Sequence, residues 1–170
     1  MKNNTIRFIT RSGVIGALYA VFTIILYPIS YGPIQVRISE SLTILPFFTP
    51  AAIPGLWAGC LIANIFSNAG IYDIVIGSLL TGIAAYLTYL TGKVNKPFLA
   101  PLPPVIINAF GVSAYLQYFY EPPPITILGD ISAYWLFVSS IAIGEIAACY
   151  LIGLPLLYII RNSQLLNVFK

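Results

Sequence analysis

Glu145 lies in the middle of an apolar stretch, Ile131 to Ile160, that contains no Lys, Arg or His. A carboxylate near the centre of a hydrocarbon layer costs roughly 2.5–3.5 kcal/mol on insertion scales, so it normally faces a polar cavity or a partner. The residues on its helical face would be Ile141, Ala142, Ala148 and Cys149, mostly small, which leaves room for a ligand beside it. An ionised acid at that depth favours a guest that donates N–H groups or carries positive charge, because paired hydrogen bonds offset its desolvation. Tyr134, Trp135 and Phe137 lie toward one end of the same stretch and offer a stacking surface, although Tyr and Trp there also fit an interfacial aromatic belt.

A second concentration of directional groups is the segment Tyr31-Gly-Pro-Ile-Gln-Val-Arg-Ile-Ser-Glu40, which combines a ring, an amide, a guanidinium, a hydroxyl and a carboxylate. Tyr31, Gln35, Arg37 and Glu40 are candidates for ligand contact in a lid over an enclosed pocket. The plainer use of the same residues is an Arg37–Glu40 pair three positions apart, with Ser39 or Glu40 capping a helix. Asn64 and Asn108 lie in apolar runs. Each offers donors and an acceptor to a heterocycle edge, or else an interhelical hydrogen bond. Ser78, Thr81, Gly82 and Ala85 read as a packing face.

Other chemistry is excluded early. With no His in the chain, His-based triads, imidazole relays and most zinc sites are absent. Cys60 and Cys149 match no metal or redox spacing and read as buried packing. No G-x-S-x-G or H-E-x-x-H pattern occurs, and no lysine sits mid-helix to serve as a base, so an intramembrane enzyme built on Glu145, Asp73 and Asp130 is the weaker alternative. No metal or cofactor is expected. A purely structural membrane subunit would have no small-molecule ligand.

The elements that must position these groups are helices in lipid. The 170 residues are 59% hydrophobic and 8% charged, against roughly 25% charged in soluble domains. One membrane domain, 1–170, is expected, with no soluble part to house a nucleotide site. The apolar run after Arg11 exceeds a signal-peptide core and lacks a cleavage pattern, so it reads as a retained helix. The uncharged stretch Ser41 to Tyr72 is too long for one span of about 20 residues and short of the roughly 40 of two. Pro46, Pro50, Pro54 and Gly55 divide it, because proline lacks an N–H and clashes with the preceding turn.

The expected architecture is therefore all-α, with six transmembrane helices at about 7–28, 39–48, 55–68, 73–92, 98–120 and 131–161, the second and third short and Pro-broken. With both termini cytoplasmic, Lys2, Arg7, Arg11, Lys93, Lys96, Arg161 and Lys170 fall inside and only Arg37 outside, as the positive-inside rule requires. Glu40, Asp73, Glu121 and Asp130 then lie at or near an outward polar mouth. Gly13, Gly16, Ala17 and Ala20 fall on one face of the first helix, a surface for close helix approach inside or outside the protein.

Several stretches resemble the QueT-type queuosine-precursor transporters, the substrate-binding S components of energy-coupling factor (ECF) importers. They are Tyr31 to Glu40, Leu45-Pro-Phe-Phe-Thr-Pro-Ala-Ala-Ile-Pro-Gly55, Gly59-Cys-Leu-Ile-Ala-Asn64, Asp73-Ile-Val-Ile-Gly-Ser78, Pro103-Pro-Val-Ile-Ile-Asn108 and Gly144-Glu145. The resemblance implies a multi-pass protein of a bacterial plasma membrane that captures a 7-deazaguanine, preQ1 or preQ0, from outside. It implies docking on a transmembrane coupling protein that carries two cytoplasmic ATPases, with Gly13, Gly16, Ala17 and Ala20 as the docking face and toppling in the membrane as the delivery step. Nucleic acid is not an expected partner. Glu145 and Glu40 would be the two carboxylates toward the base edge and the aminomethyl cation, in an order the residues leave open. Asn64, Asn108 or Gln35 would meet O6, and Tyr31, Phe47 or Trp135 the flat face. Another vitamin-like cargo on the same architecture is the alternative.

Overall fold

The computed structural model describes residues 2–31, 35–122 and 132–169. Asp130, Lys170 and the Gly32 to Ile34 part of the polar segment lie outside them, and so does Ile131, where the last helix was expected to begin. Among the described residues the chain is all helical, with no strand. Four helices are long and apolar enough to cross a membrane, Asn4–Ile25, Asp73–Lys93, Pro97–Leu116 and Ala133–Asn162, and two shorter apolar helices are Ile38–Phe47 and Ala52–Asn64.

Helix α1 (Lys2–Ile25) ends before a single turn, α2 (Tyr27–Ser30). Pro28 explains the break, since its ring clashes with the carbonyl four residues back. The polar segment then leads into Ile38–Phe47, which is a 3-10 helix rather than the expected α-helix. Ten residues at about 2.0 Å each span roughly 20 Å, some 5 Å more than an α-helix would. Ser39 to Pro46 are all buried, because α1, α3, α4 and the second half of the last helix pack around this element. Two glycines admit it. A Cβ on Gly153 would sit 3.0 Å from the Ser41 carbonyl oxygen, and one on Gly92 would overlap the Phe47 carbonyl.

Helix α3 (Ala52–Asn64) starts three residues earlier than expected, because Pro54 is tolerated in a first turn. It also stops four residues earlier. There Asn64 donates to the Asp73 carbonyl oxygen at 2.7 Å and draws the chain into turns through Gly70, at φ +58. Helix α4 (Asp73–Lys93) opens with a π turn, Asp73–Gly77. Pro97–Leu99 makes a 3-10 turn before α5 (Leu102–Leu116). Helix α6 (Ala133–Asn162) carries a π segment, Ala147–Gly153, directly before Pro155, whose missing N–H and ring such an expansion accommodates. A last turn, α7, is Leu166–Phe169.

Contacts between ends show the segments alternating in direction. The first half of α1 meets the start of α3, Ser12 Oγ donating to the Ala51 oxygen at 2.8 Å. Tyr31 donates to the Ala63 oxygen at 2.6 Å at the other end. Thr88 of α4 donates to the Ala100 oxygen at 3.0 Å, and Phe169 packs on Phe48. Lys93, Lys96, Arg161 and Arg11 thus share one end of the bundle.

The expected small-residue face of α1 is divided. Gly16 and Ala20 are buried, while Gly13 and Ala17 are exposed. Gly16 faces α3 so closely that a Cβ would lie 2.7 Å from the Gly55 oxygen, and a Cβ on Gly59 would overlap Gly16 in return. Half of the face therefore serves this protein's own packing.

Candidate functional site

The 3-10 helix carries Glu40 into the centre of the bundle, where it is 0% exposed, and α6 carries Glu145 to the same place, 5% exposed. Tyr19 of α1 donates its hydroxyl to Glu40 Oε1. Asn108 of α5 donates its Nδ2 to Glu145 Oε1 at 2.9 Å. The Cys149 thiol, one turn beyond Glu145, reaches the Glu40 carbonyl oxygen at 3.4 Å and Glu145 Oε2 at 3.5 Å. Four elements thus converge on two acids that lie within each other's field.

This cluster carries unmatched acceptors. Glu40 Oε2 and Asn108 Oδ1 are buried with no hydrogen-bond partner among the described residues. An orphaned buried acceptor costs about 1–3 kcal/mol, more if charged. Glu145 has neighbours of the protein's own at each oxygen, Asn108 donating to Oε1 and the Cys149 thiol, whose single hydrogen is shared with the Glu40 carbonyl, standing beside Oε2. The acid with an open lone pair is Glu40. Both open atoms are acceptors, so the complementary group is a donor.

A second polar cluster stands beside the first. Arg37 is 6% and Asp73 1% exposed, with Nη2 to Oδ2 at 3.8 Å. Arg37 Nε donates to the Ser30 oxygen at 3.3 Å and its guanidinium lies over the Tyr31 ring, 5.2 Å from the centroid. Asp73 accepts from the Tyr115 and Ser67 hydroxyls. The Arg37–Glu40 pair weighed as the plainer alternative does not form; Arg37 precedes the 3-10 helix and faces the opening turn of α4. Nor do Arg37, Glu40 and Asp73 make a solvent-facing mouth, since all three are interior, and only Glu121 of the described acids is exposed. Burial pushes the Tyr31 phenol up to about 12, which keeps it a neutral donor.

The remaining candidates separate. Gln35 is buried, and its backbone carbonyl rests on Gly144, where a Cβ would overlap it. The segment around Gln35 therefore lies directly over the turn that bears Glu145. Asn64 spends its amide donors on Asp73, Cys60 and Ser78, and its Oδ1 has no partner among the described residues. Phe47 is not brought to the acids; it packs on Phe48 in the cluster near Phe169. Trp135 is 52% exposed and lies edge-on to Phe110 and Tyr134, the belt arrangement, whereas Phe137 is fully buried core. Ser78, Thr81 and Ala85 are buried packing, as expected.

Sequence reasoning missed Tyr19 and Tyr115 as neighbours of the buried acids; it placed Cys149 on the face of Glu145 but read it as packing alone. Tyr19 carried a signal. It lies near the middle of an apolar span, far from the interfacial depth where Tyr is common, and a buried phenol needs a partner.

Three buried acids, Glu40, Asp73 and Glu145, face one buried base. Among the described residues Arg37–Asp73 is the one ion pair, which leaves Glu40 and Glu145 without a cation. Taking a charge out of water costs several kcal/mol, so such a pair favours a donor-rich or cationic guest or a bound proton.

Comparison with known proteins agrees with a non-enzymatic reading. The QueT transporter family model matches residues 9–162. A relative from Lactococcus lactis subsp. cremoris (strain MG1363), "Queuosine precursor transporter QueT", is 29% identical over 164 residues, covering 89% of this chain and 90% of that protein. No solved structure matches the chain significantly. With its family model spanning nearly the whole helical bundle, the chain belongs to the QueT transporter family, and is a multi-pass protein of the cell membrane that moves a solute rather than transforming one.

Proposed function

We propose that this protein is the substrate-binding S component of an ECF-type importer for a queuosine precursor, a 7-deazaguanine such as preQ1 or preQ0. The observation that carries the reading is the buried Glu40–Asn108–Glu145 cluster, with open acceptors on Glu40 and Asn108 and no cation of its own. A deazaguanine presents N1–H and an exocyclic NH₂ side by side, and a carboxylate accepts such neighbouring donors in pairs. The aminomethyl ammonium of preQ1 would suit the second acid.

In this reading the chain crosses the membrane six times with both termini in the cytoplasm. The alternating segments support it, as does the gathering of Arg11, Lys93, Lys96 and Arg161 at one end. The cluster is closed, so cargo enters from outside when the Gln35 to Arg37 segment lifts from Gly144. Gly13 and Ala17, exposed on α1, then contribute to docking on a transmembrane coupling protein served by two ATPases, while Gly16 and Ala20 hold α1 on α3.

Calorimetric titration of the purified protein tests this. PreQ1 or preQ0 should bind, while riboflavin and thiamine should not. Glu40→Gln should weaken binding by about 10- to 100-fold, the range of one hydrogen bond to a charged group. Undiminished binding by both Glu40→Gln and Glu145→Gln, or saturable binding of thiamine in place of the deazaguanines, would overturn the assignment.

A further inference from the structure

The basic end of α1 holds a cavity of about 460 Å³ lined by Asn4, Arg7, Phe8, Arg11, Phe48 and Thr49, among others. Arg7 and Arg11 are one helical turn apart, so their guanidiniums share a face. Arg11 Nη1 donates to the Phe169 carbonyl oxygen at 3.1 Å. No acid is among the lining residues, and the one ion pair among the described residues lies elsewhere, so neither arginine has a carboxylate partner among the described residues.

A second cavity, about 260 Å³, adjoins the first and shares Arg11 and Phe169 with it. Its walls are apolar: Val14, Ile15 and Leu18 of α1, Leu45 of the 3-10 helix, and Val168. From Arg7 to Leu18 is eleven residues, roughly 16 Å along an α-helix. Half of a hydrocarbon layer is about 15 Å. A cationic head pocket therefore adjoins an apolar groove, and the two together reach about one leaflet along a helix of membrane-spanning length.

We infer that Arg7, Arg11 and this groove form a binding site for one anionic phospholipid, its phosphodiester between the two guanidiniums and one acyl chain along Val14, Ile15 and Leu18. The charge selects the headgroup. The groove distinguishes a lipid from a free phosphate, which has nothing to place against Leu18 and Leu45. Aromatic edges at Phe8, Phe48 and Phe169 border the glycerol level. The site is remote from the Glu40–Glu145 cluster and owes nothing to the cargo assigned there.

Native mass spectrometry of the detergent-purified protein, titrated with dioleoyl phosphatidylglycerol or dioleoylphosphatidylcholine, tests the inference. One phosphatidylglycerol should be retained in preference to phosphatidylcholine. Arg7→Gln with Arg11→Gln should weaken it about thirtyfold, the equivalent of about 1 kcal/mol per basic side chain at a membrane surface, while Arg7→Lys with Arg11→Lys keeps most of the preference. Val14→Trp, which fills the groove and leaves both charges, should weaken the dioleoyl lipid more than its dihexanoyl analogue. Equal retention of the two lipids would mean an unspecific annulus and overturn the site. Displacement by millimolar inorganic phosphate would overturn the lipid assignment in favour of a soluble anion. If the Gln pair does not elute as a single species, the wild-type preference and the Val14→Trp arm decide alone.

Discussion

Glu40 and Glu145 occupy the same interior but not the same chemical position. Glu145 receives the Asn108 amide on one oxygen and shares the weak Cys149 thiol on the other, whereas Glu40 keeps one oxygen for which no described residue supplies a donor. Removing the Tyr19 hydroxyl with Tyr19→Phe would leave Glu40 Oε1 unmatched too. The expected cost is about 1–3 kcal/mol of stability, read as a lowered Tm in detergent, with the loss reduced when cargo is bound. The neighbouring pair responds differently. Arg37→Met strands a buried Asp73 carboxylate and should destabilise by about 3–5 kcal/mol. Adding Asp73→Asn should recover a large part, because the penalty belongs to the unpaired charge; a double variant no more stable than Arg37→Met would contradict that account.

The elements are fixed by close approach as much as by apolar burial. Helix α1 lies on α3 through glycines whose added Cβ atoms would strike backbone, which has no rotamer to yield. Gly59→Ala should therefore separate the two helices and lower Tm even though alanine is the better helix former. Gly13→Ala meets nothing within 4 Å and should leave Tm unchanged or slightly raised; equal destabilisation by both would mean that this contact does not organise α1. The 3-10 helix shows why element type was harder to read than element position. Ile38–Phe47 was expected at nearly these bounds, and Pro46 does mark its end. Its tighter winding depends on neighbours on every side, with Gly92 and Gly153 opening the space, and no local pattern in ten residues encodes that. The same holds for the π segment at Ala147–Gly153, foreshadowed only by Pro155.

At the scale of the whole molecule, the alternation of segments gathers Arg11, Lys93, Lys96 and Arg161 at one end and leaves Glu40, Asp73 and Arg37 interior. The six crossings proposed above make a labelling prediction. In cells, Lys93→Cys and Arg161→Cys should react with an impermeant maleimide only after permeabilisation, and Glu121→Cys without it. Cys60 and Cys149 are buried and should stay silent. Reaction of Lys93→Cys in intact cells would require an odd number of crossings before it, and with it a single span in place of Ile38–Phe47 and Ala52–Asn64.

Composition settled the solvent, and with it the class of fold: so apolar a chain with so few charges must satisfy its backbone within helices in lipid. The uncompensated Glu145, the polar run ending at Glu40 and the two amides were equally visible, since an ionisable or amide group in an apolar run stands out without any neighbour's help. Partnership was not visible. That Arg37 turns to Asp73 rather than to Glu40, that Asn108 meets Glu145, and that Tyr19 reaches Glu40 from the first helix are long-range contacts. They are decided where helices cross, by which small residues let backbones touch, and distance along the chain carries no record of it.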